Sequence, residues 1–239
     1  MPRGAGRLQD SVRAVGRPIC QMAWKIETVG FDRLPASGPA ILAPNHISFL
    51  DSAFLMMLVP RRISFVGKAE YLDSWKTRWL FPAMGMIPID RAGGDKSQAA
   101  LDTARQVLER GELFGIYPEG TRSRDGYLYK GKTGAARLAL QVGCPLYPVG
   151  IIGTDAIQPP DAKVPKVRGS CRIEIGKPLA LDKYRSRDDD RLVLRAITDE
   201  LMYEIRALTG QHYRDVYATK PVSSSVERPD AHAPGRAAA

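Results

Sequence analysis

The chain has 239 residues, of which 44% are hydrophobic and 26% are charged, so disorder, collagen-like repeats and an integral membrane bundle do not describe it as a whole. Its net charge of +9 favours anionic partners, whether lipid, nucleic acid or a phosphorylated cofactor. The length suits one α/β domain with one core. The cysteines, Cys20, Cys144 and Cys171, are far apart and odd in number, which predicts reduced packing thiols and no zinc site.

The first 30 residues mix basic and apolar side chains, a pattern typical of a basic amphipathic helix at a membrane surface. A helix that packs its apolar stripe on the folded body fits the same pattern equally well. The chain has neither a run of ~18 apolar residues nor the apolar core of a signal peptide. We therefore expect a protein at the cytoplasmic face of the cell membrane, attached peripherally.

From residue 31 onward, short apolar runs alternate with helical patterns, as in α/β proteins. The expected strands cover residues 40–43, 63–66, 86–89, 113–117, 146–152 and 171–175. The expected helices cover residues 53–58, 97–110, 131–141 and, after an acidic run at 188–190, the segment up to 208. The predicted fold is one domain over residues 31–217, with a mixed, largely parallel sheet flanked by helices. The Pro, Ser, Ala and Gly content of residues 218–239 predicts a disordered tail.

The segment after the first expected strand, residues 45–51, holds His46 and Asp51 five positions apart. In a continuous helix these two side chains would lie about 140° apart and could not meet. If Ser48 caps the next helix, Asp51 takes the third position of a capping box, from which its carboxylate reaches back toward the loop. An imidazole held by a carboxylate has a fixed tautomer and can act as a general base. A surface histidine beside a helix cap is the commoner use of such a pair.

A second polar segment, residues 117–123, follows the strand expected at 113–117. Its glycine permits close backbone approach, its hydroxyls are donors, and Arg122 offers a planar fork for two phosphate oxygens. Lys68 and the pair Asp90 and Arg91 follow two other strands. Each segment alone is ordinary turn or surface material. Because carboxyl ends of parallel strands share one edge of a sheet, where ligands bind in open α/β folds, we expect these groups to converge there.

Four blocks occur in order along the chain, and the second and fourth are less specific than the others. They are the NHxxxxD box at 45–51, the segment 85–91, the EGTRS run at 119–123 and the YPVG run at 147–150. In this order they resemble the glycerolipid acyltransferases, a family typified by 1-acyl-sn-glycerol-3-phosphate acyltransferase. The resemblance covers residues 31 to 180. The segments 130–134 and 213–217 also resemble actinobacterial members.

The resemblance implies a glycerol-3-phosphate acyltransferase-like fold and an acyltransferase domain over residues 31–217. It implies that His46, with Asp51 as its partner, is the general base in transfer of a long-chain acyl group to 1-acylglycerol 3-phosphate, giving phosphatidate in phospholipid biosynthesis. The donor would be acyl-CoA or acyl carrier protein, with no metal and no other cofactor. The residues expected at the acceptor phosphate are Lys68, Arg91, Glu119, Gly120, Thr121 and Arg122. Pro148 and Val149 would line the acyl site.

Other functions stay open at this point. The acceptor could instead be glycerol 3-phosphate or another lysophospholipid. A hydrolase or transferase with Ser48 as nucleophile would form an acyl-enzyme, but the chain has no nucleophile-elbow sequence. A non-catalytic lipid-binding or nucleic-acid-binding module fits the positive charge, although no nucleic-acid motif is present. We expect direct acyl transfer, an anionic membrane surface as partner and no nucleic acid.

Overall fold

The computed structural model describes residues 7–68, 85–89, 96–160, 162, 164–185 and 187–219. The helices in this part of the chain are α1 (Arg7–Ala23), α2 (Leu50–Leu58), α3 (Lys96–Glu109), α4 (Gly134–Val142), α5 (Thr154–Ile157) and α6 (Arg191–Thr209). The strands are β1 (Lys25–Val29), β2 (Ala40–Pro44), β3 (Ile63–Lys68), β4 (Met86–Ile89), β5 (Leu113–Gly115), β6 (Leu128–Tyr129), β7 (Leu146–Ile152), β8 (Ser170–Ile175) and β9 (Tyr213–Arg214). Two 3-10 turns cover Phe31–Arg33 and Asp182–Tyr184.

Seven strands form one sheet in the order β1-β8-β7-β2-β5-β3-β4. The five strands from β7 to β4 run parallel to one another. β8 runs antiparallel to β7, and β1 runs parallel to β8. The predicted mixed, largely parallel sheet is confirmed. The short strands β6 and β9 form a separate parallel pair.

β2 lies at the centre of the sheet, and all five of its residues are buried. Ile41 and Ala43 face a cluster built with α3, α4 and α6. Ala40 and Leu42 face the opposite cluster, which includes α2 and side chains of α1. A strand covered on both faces carries a continuous apolar run, which is why this segment reads as a buried strand in the sequence.

The ends of α6 follow the predicted signals. The side chain of Asp190 accepts hydrogen bonds from the main-chain N–H groups of Leu192 and Val193, which are unsatisfied at a helix N-terminus. Gly210 ends the helix with φ of 69°, a conformation that glycine adopts without steric cost. The prediction that this helix runs from the acidic residues to about Leu208 is confirmed.

The N-terminal boundary differs from the one predicted at residue 30. β1, inside the predicted N-terminal segment, pairs with β8 as the edge strand of the main sheet. None of its five residues is fully buried, and Lys25 and Glu27 suit an exposed sheet edge, so the run lacks the apolar continuity of the interior strands. α1 packs on α2, with Gly16 against Met57. The domain therefore begins before residue 30.

Three further predictions concern the cysteines, membrane spans and the tail. All three cysteines are free thiols, and burial raises the pKa of Cys144 and of Cys171 to about 12. No helix in the described ranges is long and apolar enough to cross a membrane. Of the tail predicted to be disordered, residues 220–239 lie outside the described residues.

Candidate active site

His46 and Asp51 meet in the turn between β2 and α2. Nδ1 of His46 lies 2.8 Å from Oδ2 of Asp51, and the Asp51 side chain is fully buried. The same oxygen accepts hydrogen bonds from the main-chain N–H groups of Ile47 and Ser48 at 2.8 and 2.9 Å. Oδ1 accepts a hydrogen bond from the hydroxyl of Thr154 at 2.6 Å. Four donors thus compensate the Asp51 carboxylate for its removal from water.

The predicted reach of Asp51 back to the loop is observed, but the predicted cap is wrong, because Phe49 and not Ser48 occupies the N-cap position of α2 and makes no side-chain cap hydrogen bond. Ser48 Oγ accepts a hydrogen bond from Leu50 N at 3.3 Å, while Asp51 reaches back to Ser48 N. This reciprocal pair turns the Asp51 carboxylate toward the loop that holds His46. Ser48 itself is fully buried and donates its hydroxyl to the carbonyl of Gln158 at 2.9 Å. That burial argues against Ser48 as an enzyme nucleophile.

The imidazole of His46 is held between Asp51 and an aromatic ring. Its ring stacks on Tyr117 with centroids 3.8 Å apart and planes 18° apart. The Tyr117 hydroxyl is in turn hydrogen-bonded to Ser52 Oγ at 2.6 Å. Burial raises the pKa of Tyr117 well above its ordinary value, so it stays a neutral phenol. With Nδ1–H directed at Asp51, the lone pair lies on Nε2, where it can take a proton.

Asn45, the first residue of the NHxxxxD box, joins the ends of two strands. Its fully buried side chain accepts a hydrogen bond from Ile151 N at 2.7 Å and donates one to Ile151 O at 2.9 Å. It also donates to the side-chain oxygen of Gln211 at 2.9 Å. These bonds fix the end of β2 to β7 immediately before His46.

Glu119 has a different position from the one predicted at the acceptor phosphate. It is 1% exposed, and its two oxygens accept hydrogen bonds from the main-chain N–H groups of His46 at 3.1 Å and Tyr129 at 3.0 Å. Ser123 N also donates to the His46 carbonyl at 2.7 Å. Burial raises the pKa of Glu119 to about 7, although both main-chain hydrogen bonds oppose that rise. Glu119 therefore holds the main chain of His46, and both of its oxygens are occupied.

The loop after Glu119 brings positive charge to the same edge of the sheet. Gly120 has φ of 74°, and a side chain there would meet the aliphatic stem and ammonium of Lys132. Lys132 N donates to the Pro118 carbonyl at 2.8 Å, which fixes this lysine beside the loop. The guanidinium of Arg122 and the ammonium of Lys132 make no hydrogen bond or ion pair with any described residue. Two such cations next to a glycine, whose main chain a ligand can approach closely, are suited to bind an anion.

Sequence reasoning missed several of these residues. The sequence places Tyr117 at the end of a strand and the start of the polar segment 117–123 but does not predict its stacking on His46, and Thr154 carries no local signal because it contacts Asp51 across 103 positions. Lys132 stood in a Lys-Gly-Lys run, a basic signal that alone says nothing about its distance from Gly120. Among the predicted phosphate ligands, Lys68 ends β3, while Arg91 lies outside the described residues.

A cavity of about 510 Å³ opens beside His46. Its polar wall consists of His46, Ser52, Gly120, Thr121 and Arg122. Its apolar wall comes from β3, β4, β5 and α3 and includes Phe65, Val66, Met86, Leu101, Phe114 and Ile116. A mostly apolar cavity of this size with a few polar groups on one side is typical of a small-molecule site.

Pro148 and Val149, which the sequence predicts at the acyl site, are not in the described lining of this cavity. Both are buried in β7, where they pair with Ala43 and Pro44 of β2. The cavity lies on the other side of β2, along β5, β3 and β4. They therefore lie in the buried interior of the sheet, outside the described lining of the cavity. No cluster of three or more His, Cys, Asp or Glu residues in the described ranges could hold a metal ion.

Comparisons with known proteins agree with this architecture. The chain is 31% identical over 157 residues to "1-acyl-sn-glycerol-3-phosphate acyltransferase LPAT1, chloroplastic" of Arabidopsis thaliana, covering 65% of this chain and 44% of that one. It is also 31% identical over 126 residues to "1-acyl-sn-glycerol-3-phosphate acyltransferase alpha" of Homo sapiens, covering 52% and 44%. The chain thus spans about half the length of the curated relatives that it matches.

A solved structure shares the fold. The crystal structure of the 1-acyl-sn-glycerophosphate (LPA) acyltransferase PlsC from Thermotoga maritima superposes with a TM-score of 0.65 and 24% identity, covering 83% of this chain and 80% of that one. Residues 25–152, more than half of the chain, match the sequence model of a family described as Acyltransferase. This match starts at β1 and contains His46, Asp51 and the loop around Arg122. The chain belongs to the acyltransferase family.

Proposed function

We propose that the protein is an O-acyltransferase that moves a long-chain acyl group from acyl-CoA or acyl carrier protein to the hydroxyl of 1-acylglycerol 3-phosphate, giving phosphatidate for phospholipid biosynthesis. The observation that carries the proposal is the pair of His46 and Asp51, 2.8 Å apart, on the wall of a 510 Å³ cavity that also includes Arg122. The names of the relatives support this acceptor, because they act on 1-acyl-sn-glycerol 3-phosphate.

The proposed chemistry is one direct transfer. Nε2 of His46 takes the hydroxyl proton while the hydroxyl oxygen attacks the thioester carbonyl, which gives a tetrahedral intermediate. Collapse of the intermediate breaks the carbon–sulfur bond, and the proton leaves with the thiolate. Asp51 holds the imidazole in the tautomer that this step requires and stabilises its cationic form. No acyl-enzyme forms, in agreement with the buried position of Ser48.

Recognition of the acceptor phosphate would place its hydroxyl beside His46. Arg122 supplies a planar fork, Lys132 supplies a second positive charge, and Gly120 lets the phosphate approach the main chain. Lys68 and Arg91 remain proposed contacts. Binding energy from a phosphate that does not react would thus orient the group that does. This coupling would favour phosphorylated acceptors over neutral glycerides.

The apolar wall of the cavity is suited to an acyl chain. Side chains such as Phe65, Val66 and Leu101 would remove methylene groups from water, each worth about 0.8 kcal/mol. This wall replaces Pro148 and Val149 as the proposed acyl site. A lipid acceptor also implies work at a membrane, and we place the enzyme peripherally at the cytoplasmic face.

A panel of acceptors and donors tests the proposal. Purified protein would receive 1-acylglycerol 3-phosphate, glycerol 3-phosphate, another lysophospholipid or monoacylglycerol, each with acyl-CoA or acyl carrier protein, and the acylated position would be mapped. We expect the highest kcat/KM with 1-acylglycerol 3-phosphate and acylation of its free hydroxyl. A higher kcat/KM with glycerol 3-phosphate would reassign the acceptor. Binding without product would favour a lipid-binding module, and an acyl-enzyme seen by mass spectrometry would contradict direct transfer.

A further inference from the structure

α1 presents apolar residues on two sides. One side packs on the domain, where Gly16 lies against Met57 and Gln9 donates its amide to the Ile63 carbonyl at 2.9 Å. A second stripe is exposed and consists of Val15, Ile19 and Met22, the last 85% exposed. Spacings of four and three residues place these three side chains on one side of the helix. Packing on the domain therefore accounts for only part of the apolar surface of α1.

The loop between α5 and β8 carries a second group of exposed apolar side chains. Val164 and Val167 both extend into solvent, and Val167 is 82% exposed. Lys166 and Arg168 are exposed beside them. Arg168 has φ of 74°, which is uncommon for a residue with a side chain and indicates that the loop has a specific conformation. The loop therefore presents alternating apolar and cationic side chains.

These two segments are adjacent although some 140 positions separate them. The indole N–H of Trp24, one residue after α1, donates to the Lys166 carbonyl at 2.8 Å. Lys25 N donates to the Gly169 carbonyl at 2.9 Å. We use the name docking patch for the exposed apolar and cationic side chains of these two adjacent segments. It comprises Val15, Ile19, Met22, Lys25, Val164, Lys166, Val167 and Arg168.

Sheet topology puts one end of the docking patch at the same edge of the sheet as His46. β2 ends at Pro44, immediately before the catalytic turn, and β7 runs parallel to it and ends at the same edge. β8 is antiparallel to β7 and β1 is parallel to β8, so both begin at this edge, with Lys25 paired with Ser170. The hydrogen bond from Ser48 to Gln158 also joins the catalytic turn to the start of the loop.

The charge of the docking patch indicates its partner. The side chains of Lys25, Lys166 and Arg168 are exposed and form no ion pair with any described residue. Apolar side chains bordered by cations match a bilayer surface, where anionic headgroups lie above acyl chains. A grouped set of exposed apolar residues is also more than the scattered ones that soluble surfaces tolerate.

We propose that the docking patch binds an anionic lipid bilayer through both α1 and the loop around Val167, with the His46 edge of the sheet next to the lipids. The inference rests on the proposed function, because a lipid acceptor must pass between the bilayer and the cavity. It assigns a second segment, far from the N-terminus in sequence, to membrane binding. Deletion of α1 is a poor test, since the same helix packs on α2.

Vesicle sedimentation of the full chain tests the docking patch. It compares vesicles of phosphatidylcholine alone with vesicles of equal parts phosphatidylcholine and phosphatidylglycerol. Ile19→Ser with Met22→Ser, and Val164→Ser with Val167→Ser, should each weaken binding to the anionic vesicles roughly tenfold. Lys166→Gln with Arg168→Gln should weaken it by about the same factor at low salt, and less at high salt. The matched control is Leu192→Ser with Tyr203→Ser on α6, where Leu192 is 82% exposed, and it should bind like the wild type.

A second measurement locates the contact and separates the two proposals. Val167→Trp should be quenched by brominated lipids, whereas Tyr203→Trp on α6 should add no quenching to the wild-type signal. Activity on a detergent-dispersed acceptor should be unchanged in every docking variant. Wild-type binding by both apolar double variants would overturn the docking patch while leaving the proposed function intact. A change in oligomeric state in place of vesicle binding would also overturn it, in favour of a second copy of the chain. If the wild-type protein bound anionic vesicles but showed no acyltransferase activity, that result would overturn the proposed function alone.

Discussion

In the turn that holds His46, Asn45, Ser48 and Asp51 are fully buried and each side chain has protein partners. In the loop that would bind phosphate, Arg122 and Lys132 have none among the described residues. A proton transfer requires the base within hydrogen-bond reach of its substrate, so rigidity favours it. A cation that already pairs with a carboxylate would have to lose that partner before it could bind phosphate. The turn that holds His46 is therefore rigid, as the proposed proton transfer requires, and the cations near Gly120 are unpaired, as the proposed phosphate binding requires.

Glu119 joins the two halves. It belongs to the phosphate-loop block in sequence, yet its Oε1 accepts from the main chain of His46 and its Oε2 from Tyr129. The carboxyl group is thus used inside the protein, while Arg122 lines the cavity. Glu119, whose side chain is held by main-chain hydrogen bonds, and Arg122, whose guanidinium has no described partner, thus lie in the same five-residue segment, 119–123.

The largest effect is expected from a change in the rigid half. His46→Ala removes the proposed base and should lower turnover about 10²–10⁴-fold, the usual contribution of positioned proton transfer. Single-turnover rates with a saturating acceptor measure it, and circular dichroism checks the fold. His212→Ala, at an exposed position, is the matched control and should keep its activity. Near-normal turnover in His46→Ala would remove this residue from the mechanism.

Arg122→Ala tests the proposed phosphate-binding loop, in which the Arg122 guanidinium has no described partner. It should lower kcat/KM for 1-acylglycerol 3-phosphate by about 1.5–3 kcal/mol, or roughly 10–100-fold, the range for a hydrogen bond to a charged group. Arg122→Lys should recover part of the loss, because lysine keeps the charge and loses the fork. Arg105→Ala, at an exposed position on α3, is the control and should have a small effect.

The choice of acceptor makes the Arg122 test specific to phosphate. Wild type should use monoacylglycerol poorly, and Arg122→Ala should narrow the difference between the two acceptors. KM for the acyl donor should change far less. An equal loss with both acceptors would point to a general defect and would contradict a phosphate contact.

Local sequence signals predicted the rigid turn well. The three-residue spacing from Ser48 to Asp51 predicts that the Asp51 carboxylate reaches back to the loop with His46, which the structure shows, although Phe49 and not Ser48 is the N-cap of α2. The acidic run and Gly210 gave both ends of α6. Apolar runs gave the interior strands, because strands covered on both faces have an unmistakable composition. The edge strand β1 was missed since half of it faces water.

Contacts between distant segments could not be predicted in the same way. Thr154 and Asp51 are 103 positions apart, and His46 and Glu119 are 73 apart. The strand order decides such contacts, and it also placed Val149 behind β2 and away from the cavity. A motif shows which residues belong to a site, whereas the fold decides which atoms of those residues face the ligand. Glu119 is the clearest case, because both of its oxygens accept hydrogen bonds from the main chain although it lies in the segment proposed to bind phosphate.

The connection made by Glu119 can be tested through stability. Its pKa in the folded protein is about 7, above the ordinary 4.5, because of burial. The folded state thus binds this proton more tightly than the unfolded state, so the free energy of unfolding falls as pH rises from about 4.5 to about 7. As pH rises from 5 to 8, ionisation of Glu119 should lower the free energy of unfolding of the wild type by about 2 kcal/mol. Glu119→Gln should lack this contribution. Urea unfolding of both proteins at each pH measures the difference, and a gap that does not vary with pH would contradict the assignment.

The smallest expected effect concerns Thr154, which supports Asp51 from α5. Thr154→Val keeps the shape of the side chain and removes the donor to Asp51 Oδ1, so the buried carboxylate loses one of its four partners. If this bond holds Asp51 in register with His46, turnover should fall about 3–10-fold with KM values unchanged, an effect of about 1 kcal/mol. Thr154→Ser restores the hydroxyl and should restore most of the rate. Thr198→Val is the matched control, since Thr198 is equally buried but donates to Leu194 O within its own helix, and it should affect stability alone. Equal loss of turnover in the two valine variants would show that Thr154 contributes packing and no positioning.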